Sequence, residues 1–248
     1  MKKIAVLVSG GGSNLQAIID AVKAGDLNVT IACVGADNPN AGGLTRAREA
    51  GIPTFVTDYR ALYNSYAQGA MPPADFSLEE VFEKQGLVKA ETPEKVKGFL
   101  ERRALAEADL LNELSFFDVD LLVLAGFMRV LTPYFIDRFN GGASLPRIMN
   151  IHPALLPSFP GTDGYGDTFG YGCKVGGCTV HFVDYGEDSG PIIGQAAFSI
   201  GPEDDLATVK RHGLAEEWKL YPECIRLYSE GRLNMGERGG RKVVEVVA

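Results

Sequence analysis

The sequence predicts an α/β fold with a mostly parallel sheet flanked by helices, and with antiparallel strands in its C-terminal half. Two observations lead to this fold class. The first half of the 248-residue chain alternates short apolar runs with segments whose apolar residues recur at helical spacing. In the second half, two strand-like runs are joined by a short polar connection, 184–190, which favours antiparallel pairing. A chain of this length can bury a proper core as one large domain or two small ones.

The strands and helices of the first half follow one another in regular alternation. Strands are predicted at 4–8, 29–34, 54–57, 120–125 and 147–151. Helices are predicted at 14–22, 44–50 and from about 93 to 116. Because alternating strands and helices are connected by crossovers, the strands run parallel and helices cover both faces of the sheet.

The later elements are predicted with less regular patterns. Strands are expected at 178–183 and 191–198, and 203–229 is expected to be mostly helical, interrupted by Gly213 and Pro222. The charged tail from Asn234 is expected to be weakly ordered up to the apolar segment 243–247. Two segments lie outside the alternation: 59–92, which has many charges, and the glycine-rich 161–177, which is expected to be a long loop.

Composition limits the possible partners. The net charge of −8 argues against nucleic acid or an anionic membrane, both of which favour a basic surface. We see no N-terminal targeting segment and no run near the ~20 apolar residues of a membrane span, so a cytoplasmic location is expected. The four cysteines are scattered, which argues against a zinc site and favours reduced thiols.

A glycine-rich turn follows the first predicted strand. Ser9-Gly10-Gly11-Gly12-Ser13-Asn14 lies between a strand and a helix, where backbone N–H groups and the helix dipole favour an anion. Leu15 occupies the position where a dinucleotide fingerprint needs its third glycine, and no Walker lysine follows. A purely structural turn is the alternative. The pattern favours a phosphate site for a mononucleotide-type ligand.

A second polar cluster is predicted at the end of the strand 147–151. Asn150 and His152 lie two residues apart, so they share one face at the strand end where α/β proteins bind ligands. Histidine can carry a proton near neutral pH, and asparagine can donate to a developing oxyanion. A carboxylate from the loop 184–190 could orient His152, although spacing does not decide between Asp184, Glu187 and Asp188. A histidine satisfied within the core is the alternative.

Four segments in order resemble the folate-dependent formyltransferases, and within them the phosphoribosylglycinamide formyltransferase branch. These segments are 8–18 (VSGGGSNLQAI), 124–131 (LAGFMRVL), 150–157 (NIHPALLP) and 179–183 (TVHFV). The resemblance runs from residue 3 to about 235, with 59–92 as an apparent insertion. It implies a single domain, 1–235, with the Rossmann-like formyltransferase fold, followed by a tail, 236–248.

The resemblance also implies roles for individual residues. The implied catalytic residues are Asn150, His152 and Asp188. The implied binding residues for the ribonucleotide phosphate and sugar are Gly12, Ser13, Asn14 and Glu217. The implied folate-binding residues are Arg103, Met128, Arg129, Val130, Leu131 and Asn150. Thr179 and His181 are expected to hold the catalytic side chains in place rather than to contact a substrate.

By resemblance, the chain is expected to transfer a formyl group directly from 10-formyltetrahydrofolate to the amine of glycinamide ribonucleotide. No metal is needed, and a monomer or homodimer is expected. One departure from the family is clear: after Pro160-Gly161, the segment 162–167 replaces a helix start that commonly carries a histidine.

Three alternatives to this acceptor and activity remain. A related folate enzyme could use another acceptor, such as a nucleotide sugar, although a transfer-RNA formyltransferase would carry an additional RNA-binding domain. A formyltetrahydrofolate hydrolase would begin with a regulatory domain, whereas the first strand here begins at residue 3. A non-catalytic nucleotide-binding protein would not be expected to keep the three implied catalytic residues together.

Overall fold

A computed structural model describes residues 1–88 and 92–247 of the chain. A seven-stranded sheet with the strand order β3-β2-β1-β4-β5-β6-β7 forms its centre. The strands are β1 (Lys2–Val8), β2 (Val29–Ala36), β3 (Thr54–Val56), β4 (Leu121–Leu124), β5 (Ile148–His152), β6 (Val175–Phe182) and β7 (Ile192–Ser199). Strands β1 to β5 pair in parallel, and β6 and β7 are antiparallel to their neighbours. The predicted fold class is therefore confirmed.

Eight helices are found among the described residues. They are α1 (Ser13–Ala24), α2 (Gly42–Glu49), α3 (Tyr59–Ala67), α4 (Leu78–Lys84), α5 (Pro93–Ser115), α6 (Pro133–Asn140), α7 (Gly164–Gly170) and α8 (Leu206–Ser229). No helix within 1–88 and 92–247 has the length and apolar character needed to cross a bilayer.

The core lies on both faces of the sheet because successive strand residues point to opposite sides. In β1, Val6 and Val8 join a cluster with α1, α2 and α8, whereas Ala5 and Leu7 join a cluster with α5 and α6. This two-sided burial explains why the parallel strands are nearly continuous apolar runs rather than alternating patterns.

The glycine-rich segment 161–177 is not a long loop, and this prediction was wrong. It contains α7, and β6 already begins at Val175. Tyr165 of α7 is buried against α8 at Gly213, where an added Cβ would lie only 2.1 Å from the tyrosine ring. Tertiary packing thus stabilises a helix whose glycines disfavour it locally.

The expected interruptions of the last helix and the weakly ordered tail are also corrected. Helix α8 continues through Gly213 and Pro222. The tail forms a hairpin of β8 (Leu233–Arg238) and β9 (Arg241–Val246), which crosses the expected boundary at 235/236. Leu233 is buried in the main core, and Met235 and Val244 pack against it.

The apparent insertion, 59–92, has a defined place in the part that the structure describes. Helix α3 packs on α5, and helix α4 packs on both α5 and α6. A small apolar cluster joins Val81 of α4, Val96 and Leu100 of α5, and Tyr134 of α6. Residues 89–91 of this segment lie outside the described residues.

Candidate active site

The candidate site is a cavity of about 430 Å³ at the carboxyl ends of the central strands. The strand order reverses between β1 and β4, and open α/β sheets bind ligands at such a switch point. The polar side chains lining the cavity come from six parts of the chain. They are Ser13, Asn14, Arg129, Asn150, His152, Thr162, Asp163, Tyr165, His181, Glu187, Asp188, Lys210 and Glu217.

His152 and Asp188 are in direct contact within this cavity. His152 Nδ1 lies 3.1 Å from Asp188 Oδ2, and both side chains are largely buried. The other ring nitrogen, Nε2, lies 2.7 Å from the backbone oxygen of Phe159. Both ring nitrogens therefore face acceptors, and the doubly protonated ring can donate to both at once.

Asp188 is the acid that the loop 184–190 presents to His152, which the sequence alone left open. Its φ of 50° is left-handed, and Oδ2 also accepts the Gly161 N–H at 2.9 Å. Burial raises the pKa of Asp188, but the contacts with His181, Gly161 and His152 outweigh burial and hold that pKa below its usual value. The carboxylate is therefore ionised beside the imidazole.

Asn150 is oriented by the neighbouring antiparallel strand. In the β5–β6 register, Asn150 lies opposite His181 and His152 lies opposite Thr179. Asn150 Nδ2 lies 3.2 Å from His181 Nε2, and His181 Nδ1 lies 2.8 Å from the Phe182 carbonyl oxygen. His181 Nε2 also lies 3.6 Å from Asp188 Oδ1, so this ring nitrogen faces both the Asn150 amide and the carboxylate.

Thr179 supports the turn that follows His152. Its hydroxyl donates to the Ala154 carbonyl oxygen at 2.7 Å and accepts the Leu156 N–H at 3.0 Å. The side chain is fully buried and does not line the cavity. It therefore acts on the shape of the 152–157 segment rather than on a ligand.

The glycine-rich turn brings the start of α1 to one end of the cavity. Gly12 has a φ of 74°, and an added Cβ there would lie 2.7 Å from Gly43 Cα. Arg46 of α2 donates through Nε to the Gly11 carbonyl oxygen at 2.7 Å. Ser13 and Asn14 line the cavity at the N-terminus of α1, where the helix dipole favours an anion.

Glu217 of α8 lies beside this turn and is almost fully buried. Asn14 Nδ2 donates to Glu217 Oε2 at 2.6 Å, and the Tyr165 hydroxyl donates to Glu217 Oε1 at 2.6 Å. Burial raises the pKa of Glu217 above its usual value, while Asn14, Tyr165 and the charge of His152 oppose that rise. Tyr165 was missed by the sequence analysis because its surroundings were interpreted as a loop.

The connection after β4 forms the other wall of the cavity. Met128, Arg129, Val130 and Leu131 all line it, as the resemblance implies. The Met128 N–H donates to Ser9 Oγ at 2.8 Å, which ties this wall to the glycine-rich turn. Arg129 Nε donates to the buried carboxylate of Asp37 at 2.6 Å.

Arg103 does not line the cavity, unlike Arg129 and Glu217, the other two charged residues with an implied binding role. It lies on α5 and is only 7% exposed. Its guanidinium carbon lies 5.6 Å from the ring centroid of Tyr59 and 5.5 Å from that of Phe99. The structure therefore places Arg103 behind the wall of the site, and its role at a folate tail stays a prediction.

The described residues contain no group of three or more His, Cys, Asp or Glu side chains arranged to hold a metal ion. The polar groups of the cavity are suited to proton transfer and hydrogen bonding: two amides, two imidazoles, and carboxylates that already accept hydrogen bonds.

A family model described as formyl transferase matches residues 2–225, which is most of the chain. The chain belongs to the formyl transferase family. The phosphoribosylglycinamide formyltransferase of Haemophilus influenzae is 37% identical over 235 residues, covering 95% of this chain and 91% of the relative. The glycinamide ribonucleotide transformylase 1 of Symbiobacterium toebii has a solved structure with a TM-score of 0.76 and 35% identity. That match covers 100% of this formyltransferase and 95% of the other chain.

This formyltransferase also resembles part of a larger enzyme. The human trifunctional purine biosynthetic protein adenosine-3 is 32% identical over 237 residues, which cover 96% of this chain but 19% of the human protein. The chain thus spans about a fifth of the length of such trifunctional relatives.

Proposed function

We propose that this formyltransferase transfers the formyl group of 10-formyltetrahydrofolate to the amine of glycinamide ribonucleotide, in de novo purine synthesis. The observation that carries the proposal is that Asn150, His152 and Asp188 line one cavity together with Ser13 and Asn14 of the glycine-rich turn, with His152 in contact with Asp188. The relatives of matching length are named for this activity. A cytoplasmic location follows from the proposed pathway.

The part of the cavity beside the start of α1 suits a phosphorylated ribose, which is the part of the formyl acceptor expected there. Ser13 and Asn14 offer donors at the start of α1, and the Glu217 carboxylate offers an acceptor for sugar hydroxyls. An ionised carboxylate can only accept hydrogen bonds, so it is matched to hydroxyl donors rather than to a second anion. This pairing of an anion site with an acceptor supports a ribonucleotide as the acceptor substrate.

The part of the cavity lined by 127–131 suits the flat heterocycle of a formyl donor. The segment 127–131 combines apolar side chains with backbone groups, and residues 186–188 of the loop 184–190 line the same cavity. Pockets for small ligands commonly combine an apolar lining with a few fixed polar groups. This lining favours the pterin of the formyl donor as its ligand, and Asn150 lines the same cavity.

The chemistry begins when the acceptor amine attacks the formyl carbon. The formyl C=O bond becomes a C–O⁻ bond, which the Asn150 amide and the positive charge of His152 stabilise. Positioned donors of this kind contribute about 3 kcal/mol each in acyl transfer. His152 would have to exchange its hydrogen bond to Phe159 before donating directly to the oxyanion.

Collapse of this intermediate breaks the bond between the formyl carbon and the folate nitrogen. The ammonium proton of the former amine leaves, and the departing folate nitrogen takes up a proton. The ionised Asp188 lies against His152 and accepts the Gly161 N–H, so it can hold the charged imidazole and relay the proton through water.

The experiment mixes the enzyme with 10-formyltetrahydrofolate and glycinamide ribonucleotide and follows tetrahydrofolate, formylated amine and formate together. The proposal expects one formylated amine for each tetrahydrofolate formed. Formate produced without consumption of the amine would instead identify a hydrolase. Tetrahydrofolate formation at a rate that does not depend on glycinamide ribonucleotide would contradict the proposal.

His152→Ala tests the assigned chemistry in the same assay. We expect transfer to fall by about a hundredfold or more, because the charge beside the oxyanion is lost, while the protein remains folded. His212→Ala is the matched control, since His212 lies on α8 and does not line the cavity. Equal activity in the two variants would refute the role of His152.

A further inference from the structure

Tyr165 provides a buried hydrogen bond that the family resemblance does not explain. Its hydroxyl donates to Glu217 Oε1 at 2.6 Å, and the side chain is only 5% exposed. It belongs to the segment 162–167, which departs from the family pattern. The same ring lines the cavity.

The surroundings of Tyr165 are shaped to hold the ring in one place. At Gly213 of α8, an added Cβ would lie 2.1 Å from the ring Cζ and 2.4 Å from the hydroxyl oxygen. The other side of the ring packs against Phe198, with 6.3 Å between ring centroids. Glycine at 213 therefore lets the hydroxyl reach Glu217, although glycine disfavours the helix interior.

Glu217 is held at both oxygens by residues from different elements. Oε1 accepts from Tyr165 of α7, and Oε2 accepts from Asn14 of α1. Two donors at 2.6 Å fix the carboxylate plane relative to the start of α1. The two donors also oppose the effect of burial, which favours the protonated acid.

We propose that Tyr165 is a positioning residue for the acceptor ribonucleotide: its hydroxyl holds the Glu217 carboxylate in place beside the glycine-rich turn 9–14. This inference rests on the proposed function, which supplies the ribonucleotide. Without the tyrosine hydroxyl, Glu217 takes up a proton at higher pH and loses one of its two anchors. Binding of the acceptor then weakens, whereas the formyl donor is bound by another wall.

The test compares Tyr165→Phe with Tyr66→Phe. Tyr66 is a close match, since its hydroxyl donates to Glu101 Oε2 at 2.6 Å but lies away from the cavity. We expect Tyr165→Phe to raise KM for glycinamide ribonucleotide about tenfold, the size expected for a hydrogen bond to a charged group. KM for 10-formyltetrahydrofolate and kcat are expected to change by less than about twofold, and Tyr66→Phe is expected to leave all three unchanged.

The pH profile separates positioning from simple packing. In Tyr165→Phe, the acid-side fall of kcat/KM for the ribonucleotide is expected to move to higher pH, because a donor that lowers the pKa of Glu217 has been removed. Gly213→Ala keeps the hydroxyl but displaces the ring, and we expect it to show the same selective rise in KM.

Several results would overturn the inference. One is an equal rise in KM for both substrates in Tyr165→Phe. Another is an acid-side fall of kcat/KM at the same pH as in the wild type. The third is a rise in KM for the ribonucleotide in Gly213→Ala that Tyr165→Phe does not share. Wild-type enzyme serves as the check on the proposed function. If it formylates glycinamide ribonucleotide, the selectivity of the KM change decides the role of Tyr165; if it does not, the proposed function fails, and this inference fails with it.

Discussion

At the residue scale, Asp188 depends on a backbone geometry that its loop enforces. Its left-handed φ of 50° turns the carboxylate towards His152. Asp184 holds the loop by accepting the Gly186 N–H at 3.1 Å and the Ser189 hydroxyl at 2.6 Å. Gly190 lets the end of the loop lie close to the backbone of β6, since an added Cβ would lie 1.8 Å from the Phe182 carbonyl oxygen. Asp184 therefore holds the shape of this loop, whereas Asp188 faces His152.

Gly12→Ala is expected to damage both stability and acceptor binding. A Cβ at a φ of 74° is strained and would meet Gly43 Cα, so we expect a loss of about 1–3 kcal/mol in the free energy of unfolding. KM for glycinamide ribonucleotide should rise more than KM for the folate, because the turn lies at the acceptor end. Denaturant unfolding and steady-state kinetics measure these effects.

Gly10→Ala is the control for that prediction. Gly10 lies two residues earlier in the same turn, and an added Cβ there has nothing within 4 Å. We expect its unfolding free energy to stay within about 0.5 kcal/mol of wild type. Equal damage in the two variants would contradict the special position assigned to Gly12.

At the scale of elements, helix α5 holds in place the cavity-lining segment 127–131 that follows β4. Glu107 of α5 is fully buried and accepts the Thr132 N–H at 2.8 Å and the Thr132 hydroxyl at 2.5 Å. Thr132 directly follows the cavity-lining segment 127–131 and precedes α6. Burial raises the pKa of Glu107 to about 7, although the hydrogen bonds from Thr132 and the nearby Arg103 oppose that rise.

Glu107 is expected to make stability depend on pH. Because its folded pKa of about 7 lies above the unfolded value of 4.5, its contribution is complete below pH 4.5 and is lost as the pH rises through about 7. Relative to Glu107→Gln, we expect the wild-type free energy of unfolding to fall by about 2 kcal/mol from pH 5 to pH 8. Urea unfolding at several pH values measures this, and parallel curves for the two proteins would contradict it.

The sequence predicted the elements whose pattern is local. Buried parallel strands are short apolar runs, and α1 and α5 show apolar residues at helical spacing, so these were found with bounds close to those observed. Helix α7 and the hairpin β8–β9 were missed because their stability comes from partners distant in sequence. Tyr165 needs Gly213, and Leu233 needs the main core, and neither partner can be inferred from spacing.

The candidate site was predictable to a similar degree. Asn150 and His152 share a strand face, so their proximity follows from the pleat alone. The choice of Asp188 over its acidic neighbours came from family resemblance and depends on a left-handed residue that spacing does not reveal. Arg103 was placed by counting along the chain, but its buried position under Tyr59 depends on how α3 packs on α5.

At the scale of the whole molecule, the fold brings residues from opposite ends of the sequence into one cavity. Asn14 and Glu217 are 203 residues apart and are joined by a hydrogen bond of 2.6 Å. The parallel strands present their carboxyl ends at one edge, and the antiparallel β6 carries His181 back to face Asn150. The loop after β6 then returns Asp188 to His152. The chemistry assigned to this formyltransferase therefore depends on the mixed sheet.

The measurement that tests this account most directly is kcat/KM for formyl transfer by Asp188→Asn beside Asp184→Asn. Asparagine tolerates the left-handed backbone at 188, so the variant removes the charge and keeps the fold. We expect Asp188→Asn to lose about a thousandfold and Asp184→Asn less than about tenfold, with both proteins folded at the assay temperature. Asp188→Asn within about threefold of wild type, or equal losses in both variants, would contradict the convergence of Asn150, His152 and Asp188 as the catalytic centre.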